Sequence, residues 1–97
     1  MTTDQDAAAL AELRAVIDGL DGQIVALLAE RTRAVGRVAA YKHDAAAVQA
    51  PDRVRQVVDR VRALAEQHGM PAEIAEAVYR TMIEELTRYE MVHAGHA

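Results

Sequence analysis

The chain has no cysteine, no tryptophan and no phenylalanine, only three tyrosines, and a single lysine against ten arginines. Without cysteine there is neither a disulfide frame nor a thiolate metal site. Large aromatic side chains are scarce, and alanine makes up much of the 52% hydrophobic fraction, so a single 97-residue chain has little large apolar surface with which to build a core. Help from a second chain is expected. No stretch approaches the ~18 consecutive apolar residues of a membrane span, and the start, MTTDQD, has no basic region leading into an apolar run. A soluble, cytoplasmic protein is the expectation. A net charge of -4 without a basic aromatic cluster argues against nucleic acid as a partner. Nothing alternates with period two, so no strand is predicted, and no internal repeat is visible.

What is present is helical periodicity. The stretch from Ala7 to His43 reads as one unbroken helix in which Leu10, Leu13, Ile17, Leu20, Ile24, Leu27 and Leu28 recur at steps of three and four, with Val35 and Val38 continuing the stripe. Asp4 or Asp6 is placed to cap its start, and Glu12 lies near the positive end of its dipole. At ~1.5 Å per residue this helix spans roughly 54 Å, more than a compact monomer of this size can cover, which calls for a partner helix alongside it.

The stripe is lost from His43 to Gln49, and Pro51 then opens a second helix at the position where proline is favoured. Val54, Val57, Val58, Val61, Leu64 and Ala65 form its apolar face, and Gly69 after His68 stops it. Pro71 opens a third helix, with Ile74, Val78, Met82, Leu86 and Tyr89 on one side and Tyr79, Ile83, Leu86 and Glu90 on another. At about 17 and 23 residues these two helices together match the length of the first. The predicted fold is therefore all-α, a single domain over residues 1–97 with one long and two shorter helices per chain. Doubling it gives a bundle with the long helices antiparallel.

Candidate chemistry lies where cations interrupt this pattern. The stripe of the first helix, carried forward, passes through Arg31 and ends at Tyr41 and Lys42, so two cations fall where leucines belong. Two readings are open: an anion site on a buried stripe, or long side chains that snorkel from the stripe edge to water. Arg31 and Lys42 lie about three turns and ~16 Å apart on one face, close enough to converge on a small ligand. Arg14 is some 25 Å from Arg31 and rotated by about 100°, so it reaches the same ligand only from the other chain of an antiparallel dimer. Arg53, in the first turn of the second helix, can add a further cation. Such a set describes a receptor for a small dianion, since guanidinium forks pair with carboxylates in bidentate geometry. His43, His68, His93 and His96 form no i, i+4 pair with a carboxylate on a shared apolar face, so no metal site is predicted. Asp18 and Asp21 read as surface or helix-pairing groups, and Glu84 and Glu85 as a solvated face. Glu90 differs because it shares a stripe with Ile83 and Leu86; a partly exposed helix end is its other reading.

The segments LRAVIDGLD around Arg14, LLAER ending at Arg31, VGRVAAYK ending at Lys42, APDRV around Arg53 and IEELTRYE ending at Glu90 cover nearly the whole chain. In this order and spacing the chain resembles the all-helical AroQ-class chorismate mutases, together with their relatives the isochorismate pyruvate lyases and 4-amino-4-deoxychorismate mutases. The resemblance implies an intertwined homodimer with two equivalent sites, no cofactor, and a small dicarboxylate substrate. It implies that Arg14 of one chain and Arg31 of the other hold the two carboxylates, and that Lys42 contacts a carboxylate and the ether oxygen. Arg53 would support the ring carboxylate side, Leu86 would contribute to the substrate-binding wall, and Glu90 would stand where a donor to the ether oxygen, often Gln, is found. Val54 stands where ordinary mutases carry a glutamate for the C4 hydroxyl, and the loop AAAVQAPDRV looks more like that of the lyases. Glu90 points to the mutases. The expected activity is thus a mutase acting on chorismate or its 4-amino analogue, with an isochorismate pyruvate lyase as the alternative and a non-catalytic helical dimer as a third reading.

Overall fold

The computed structural model describes residues 3–41 and 50–93. Three helices form among them, α1 over Asp4–Ala39, α2 over Pro51–Gln67 and α3 over Ala72–His93, and no strand is found among the described residues. One long helix of 36 residues and two of 17 and 22 reproduce the predicted pattern.

The ends of α1 differ from the expected ones. Thr3, rather than Asp4 or Asp6, is the cap: its hydroxyl accepts the Asp6 N–H at 3.0 Å, and the Asp6 carboxylate accepts the Thr3 N–H at 3.3 Å. This reciprocal pair satisfies two otherwise orphaned donors and starts the helix at Asp4 instead of Ala7. At the other end, Ala40 and Tyr41 turn back three residues onto the carbonyls of Arg37 and Val38, tightening the last turn. The expected end at His43 lies outside the described residues, as does Lys42.

The chain resolves into two units, Met1–Arg33 and Ala34–Ala97. In the first, α1 carries its leucine stripe uncovered, with Leu13 61% and Leu27 64% exposed. In the second, the core is the seam between α2 and α3, where Val57, Val61, Ala65 and Ala75 are buried and Tyr79 and Ile83 pack against them. Burying a valine stabilises by about 1.5 to 3 kcal/mol, so the valines of α2 carry much of this seam. Leu64, expected on the apolar face, is exposed because it sits to the side of the Val57–Val61–Ala65 line. Of the two apolar sides of α3, the one through Tyr79, Ile83 and Glu90 faces the core, while Ile74 and Val78 are exposed. Within the same unit the last turn of α1 approaches α3: the Tyr89 ring lies 3.9 Å from where a Cβ on Gly36 would stand, and Ala39 is buried.

The α2–α3 hairpin is closed at one end by backbone geometry and clamped along its side by charge. The Gly69 N–H donates to the Glu66 carbonyl at 3.2 Å and the Met70 N–H to the Ala65 carbonyl at 2.8 Å, the paired bonds of a Schellman stop, with Gly69 at φ +71°. Pro71 caps α3 rather than occupying its first turn, because its carbonyl accepts from the N–H groups of Ile74 and Ala75. Across the hairpin, Arg62 of α2 pairs with Glu76 and Glu73 of α3.

Candidate active site

The predicted site residues divide between the two units. On α1, Arg14 is exposed and Arg31 is half-buried. Their seventeen-residue separation corresponds to roughly 25 Å of rise along one helix, so the two guanidinium groups do not meet on a single ligand from the same chain. In the second unit, Arg53 and Val54 occupy the first turn of α2, where both backbone N–H groups donate to the Ala50 carbonyl, at 3.0 and 3.2 Å. Ala50 takes a left-handed φ of 29° to deliver the chain into Pro51. Arg53 is exposed and Val54 half-buried. Leu86 and Glu90, one turn apart on α3, are half-buried and buried respectively; Glu90 is only 7% exposed. Of the two readings of Glu90, the exposed helix end is therefore excluded.

Val54 is brought together with α3. Together with Arg80, Ile83, Glu84, Thr87 and Arg88 it lines a solvent-open pocket of about 340 Å³. Thr87 and Arg80 are not among the site residues predicted from sequence. The signal for Thr87 is its spacing, four residues after Ile83 and three before Glu90, which places it on the edge of the stripe those two define. Glu84 is exposed as predicted, yet it faces this pocket rather than bulk solvent alone. Glu85 pairs with Arg88 one turn on.

One carboxylate next to the pocket engages two arginines. Glu76 accepts from Arg80 Nε on one oxygen and from Arg62 Nη1 on the other, each at 2.7 Å. The bond from Arg80, followed by that from Arg62, holds the Glu76 carboxyl below the usual carboxylate range, and the bond to Glu76 raises the Arg62 guanidinium in turn. Arg80, which lines the pocket, is thereby paired with Glu76. Among the described residues no group of three His, Cys, Asp or Glu side chains is placed to hold a metal ion, and no helix is long and apolar enough to cross a membrane.

Residues 13–91 match the family described as chorismate mutase type II, a span that runs from the segment around Arg14 to the buried Glu90. The chain belongs to this family. Within it, the chain is 33% identical over 76 residues to a chorismate mutase of Methanocaldococcus jannaschii, an alignment covering 77% of each protein. It is 32% identical over 83 residues to an isochorismate pyruvate lyase of Pseudomonas aeruginosa, covering 86% of this chain and 82% of that one. A third relative, a T-protein of Haemophilus influenzae, is 35% identical over 78 residues that make up 21% of its own length. Membership in the chorismate mutase type II family thus agrees with the resemblance of the quoted segments, and the all-helical architecture agrees with the fold that resemblance implies.

Proposed function

We propose that this protein is a chorismate mutase-type pericyclic enzyme, rearranging chorismate or its 4-amino analogue to prephenate or the corresponding amino compound, and that it works as an intertwined homodimer with two shared sites. The observation that carries the reading is the family match over residues 13–91, which includes Arg14, Arg31, Lys42, Arg53 and Glu90 in one continuous span. The dimer is supported by the uncovered stripe of α1, since exposing this many large aliphatic side chains to water is unfavourable at about 25 cal/mol per Å². It is supported as well by Arg14, which lies too far along α1 from Arg31 to serve the same site from the same chain.

In this reading Arg14 of one protomer and Arg31 of the other hold the two carboxylates in bidentate fashion, and Arg53 supports the ring carboxylate. Binding both ends selects the compact, chair-like conformer in which the enolpyruvyl methylene faces the ring carbon it will attack. The ether C–O bond breaks ahead of formation of the new C–C bond, so the enolpyruvyl oxygen gains negative charge in the transition state. Lys42 and Glu90 act there as donors, stabilising charge that the ground state lacks. Glu90 can do so only with its carboxyl protonated, because an ionised carboxylate would repel the oxygen. No covalent intermediate is formed and no cofactor is needed.

An isochorismate pyruvate lyase is the second reading, favoured by the apolar Val54 and by the lyase relative, which aligns with 86% of this chain. One experiment decides between the two. Purified protein is given chorismate, isochorismate and 4-amino-4-deoxychorismate separately, and the products are resolved by chromatography. Prephenate or its amino analogue supports the mutase; salicylate plus pyruvate as the dominant outcome replaces it with the lyase.

A further inference from the structure

The core of the second unit holds α3 from Ala75 through Tyr79 to Ile83. Glu90 lies about two turns beyond Ile83, in the last turn before the helix ends at His93. Last turns tend to fray, because their carbonyls have no intrahelical partner. Glu90 is nevertheless buried there. A second contact reaches this end of α3. The Tyr89 ring lies against the last turn of α1, with its Cε1 and its hydroxyl oxygen each 3.9 Å from where a Cβ on Gly36 would stand. On that stretch of α1, Val35, Gly36 and Ala39 are covered while Arg37, Val38 and Ala40 are exposed, so one face of the helix is packed. Glycine has no side chain, which lets the ring come close to the α1 backbone.

We propose that Tyr89 is a positioning residue: its ring, seated on Gly36, anchors the end of α3 to α1 and so fixes the carboxyl of the adjacent Glu90 for the reaction. This inference rests on the functional reading above, in which Glu90 is a donor to the ether oxygen, and adds to it the part that holds Glu90 in place. A tyrosine ring suits the task because it brings a large, rigid surface to the contact. Neighbouring residues of a helix share its backbone, so a turn of α3 that lifts off Gly36 carries Glu90 with it. A displacement of about 1 Å at a reacting centre can cost about a hundredfold in rate.

The test first finds which of chorismate, isochorismate and 4-amino-4-deoxychorismate the parent turns over best. On that compound kcat and KM are measured for Tyr89→Ala, Tyr89→Phe and Gly36→Leu, with circular dichroism on each. Tyr89→Ala removes the ring, and Gly36→Leu crowds it off its seat from the other side of the contact. Both are expected to lower kcat by about tenfold or more with KM within roughly threefold, while Tyr89→Phe, which keeps the ring, stays within roughly threefold of the parent. In a Glu90→Ala background the first two changes should cost little further, since nothing is left to position. The same loss in both backgrounds would mark the contact as structural only and overturns the inference. Parental kcat in a folded Tyr89→Ala overturns it too, as does a Tyr89→Phe as slow as Tyr89→Ala. Where Tyr89→Ala does not fold, Gly36→Leu carries the same comparison. A Glu90→Ala that turns over like the parent overturns the inference and leaves the enzyme reading in place. A parent inactive on all three compounds overturns both.

Discussion

Arg62 donates from Nη1 to Glu76 Oε1 at 2.7 Å, joining α2 to α3, while the other Glu76 oxygen is taken by Arg80 at the same distance. The two guanidinium groups hold the carboxyl of Glu76 below its ordinary range, so its folded-state pKa is lower than its unfolded one. Its contribution to stability is therefore fully present above the ordinary carboxylate pKa and is lost as pH falls through the lower folded value. The parent and Glu76→Gln, compared by thermal unfolding from about pH 7 to about pH 3, should show a gap in Tm that narrows toward acid. A constant gap across that range would mean that Glu76 stabilises the hairpin without its charge.

Two glycines should respond to alanine with opposite signs. Gly69 sits at φ +71° with nothing within 4 Å of where a Cβ would stand, so the penalty in Gly69→Ala is conformational alone, about 1 to 2 kcal/mol. Gly36 is helical, and its nearest neighbour, the Tyr89 ring at 3.9 Å, stands at ordinary van der Waals distance. Gly36→Ala should raise stability by up to about 1 kcal/mol through helix propensity. Denaturant unfolding of both variants checks the signs.

The shared-site dimer predicts complementation. Arg14→Ala and Arg31→Ala should each reduce turnover by about a hundredfold or more, with the helical dimer retained. Mixed and allowed to exchange chains, the two variants should recover part of the activity, because one site of each hybrid dimer contains both arginines. Sedimentation at micromolar concentration should give a dimer, and the unfolding midpoint should rise with protein concentration. A monomer, or proven exchange without recovery, would remove the shared site.

The role of Glu90 can be read from its amide variant. A donor to the ether oxygen must carry a proton, and a glutamine amide always does, so Glu90→Gln should stay active at neutral pH. Loss of activity in Glu90→Gln would assign the carboxylate a different task, such as pairing with a substrate ammonium group.

Helix number and order were legible in the sequence because each helix carries a repeat of period 3.6 and because Pro51, Gly69 and Pro71 have strong local preferences. The start of α1 was less so. Thr3 and Asp6 cap it jointly, and a reciprocal pair is harder to read than a single acidic residue. The buried state of Glu90 was half-legible: its stripe neighbours Ile83 and Leu86 pointed inward, but periodicity does not say which of two apolar sides of α3 meets α2.

By itself the sequence determined the all-α class, the long-plus-two-short pattern, and the family, whose motifs are local segments at fixed spacing along the chain. Only the tertiary structure decided which groups stand together: Thr87 across from Val54, Glu76 between Arg62 and Arg80, and Leu64 left outside the core. Side chains on different helices are brought within reach by the angle and register at which α2 and α3 pack. That register follows from how the valines, alanines and ion pairs of the seam fit one another, a property of pairs of surfaces that a periodicity read along one helix does not contain.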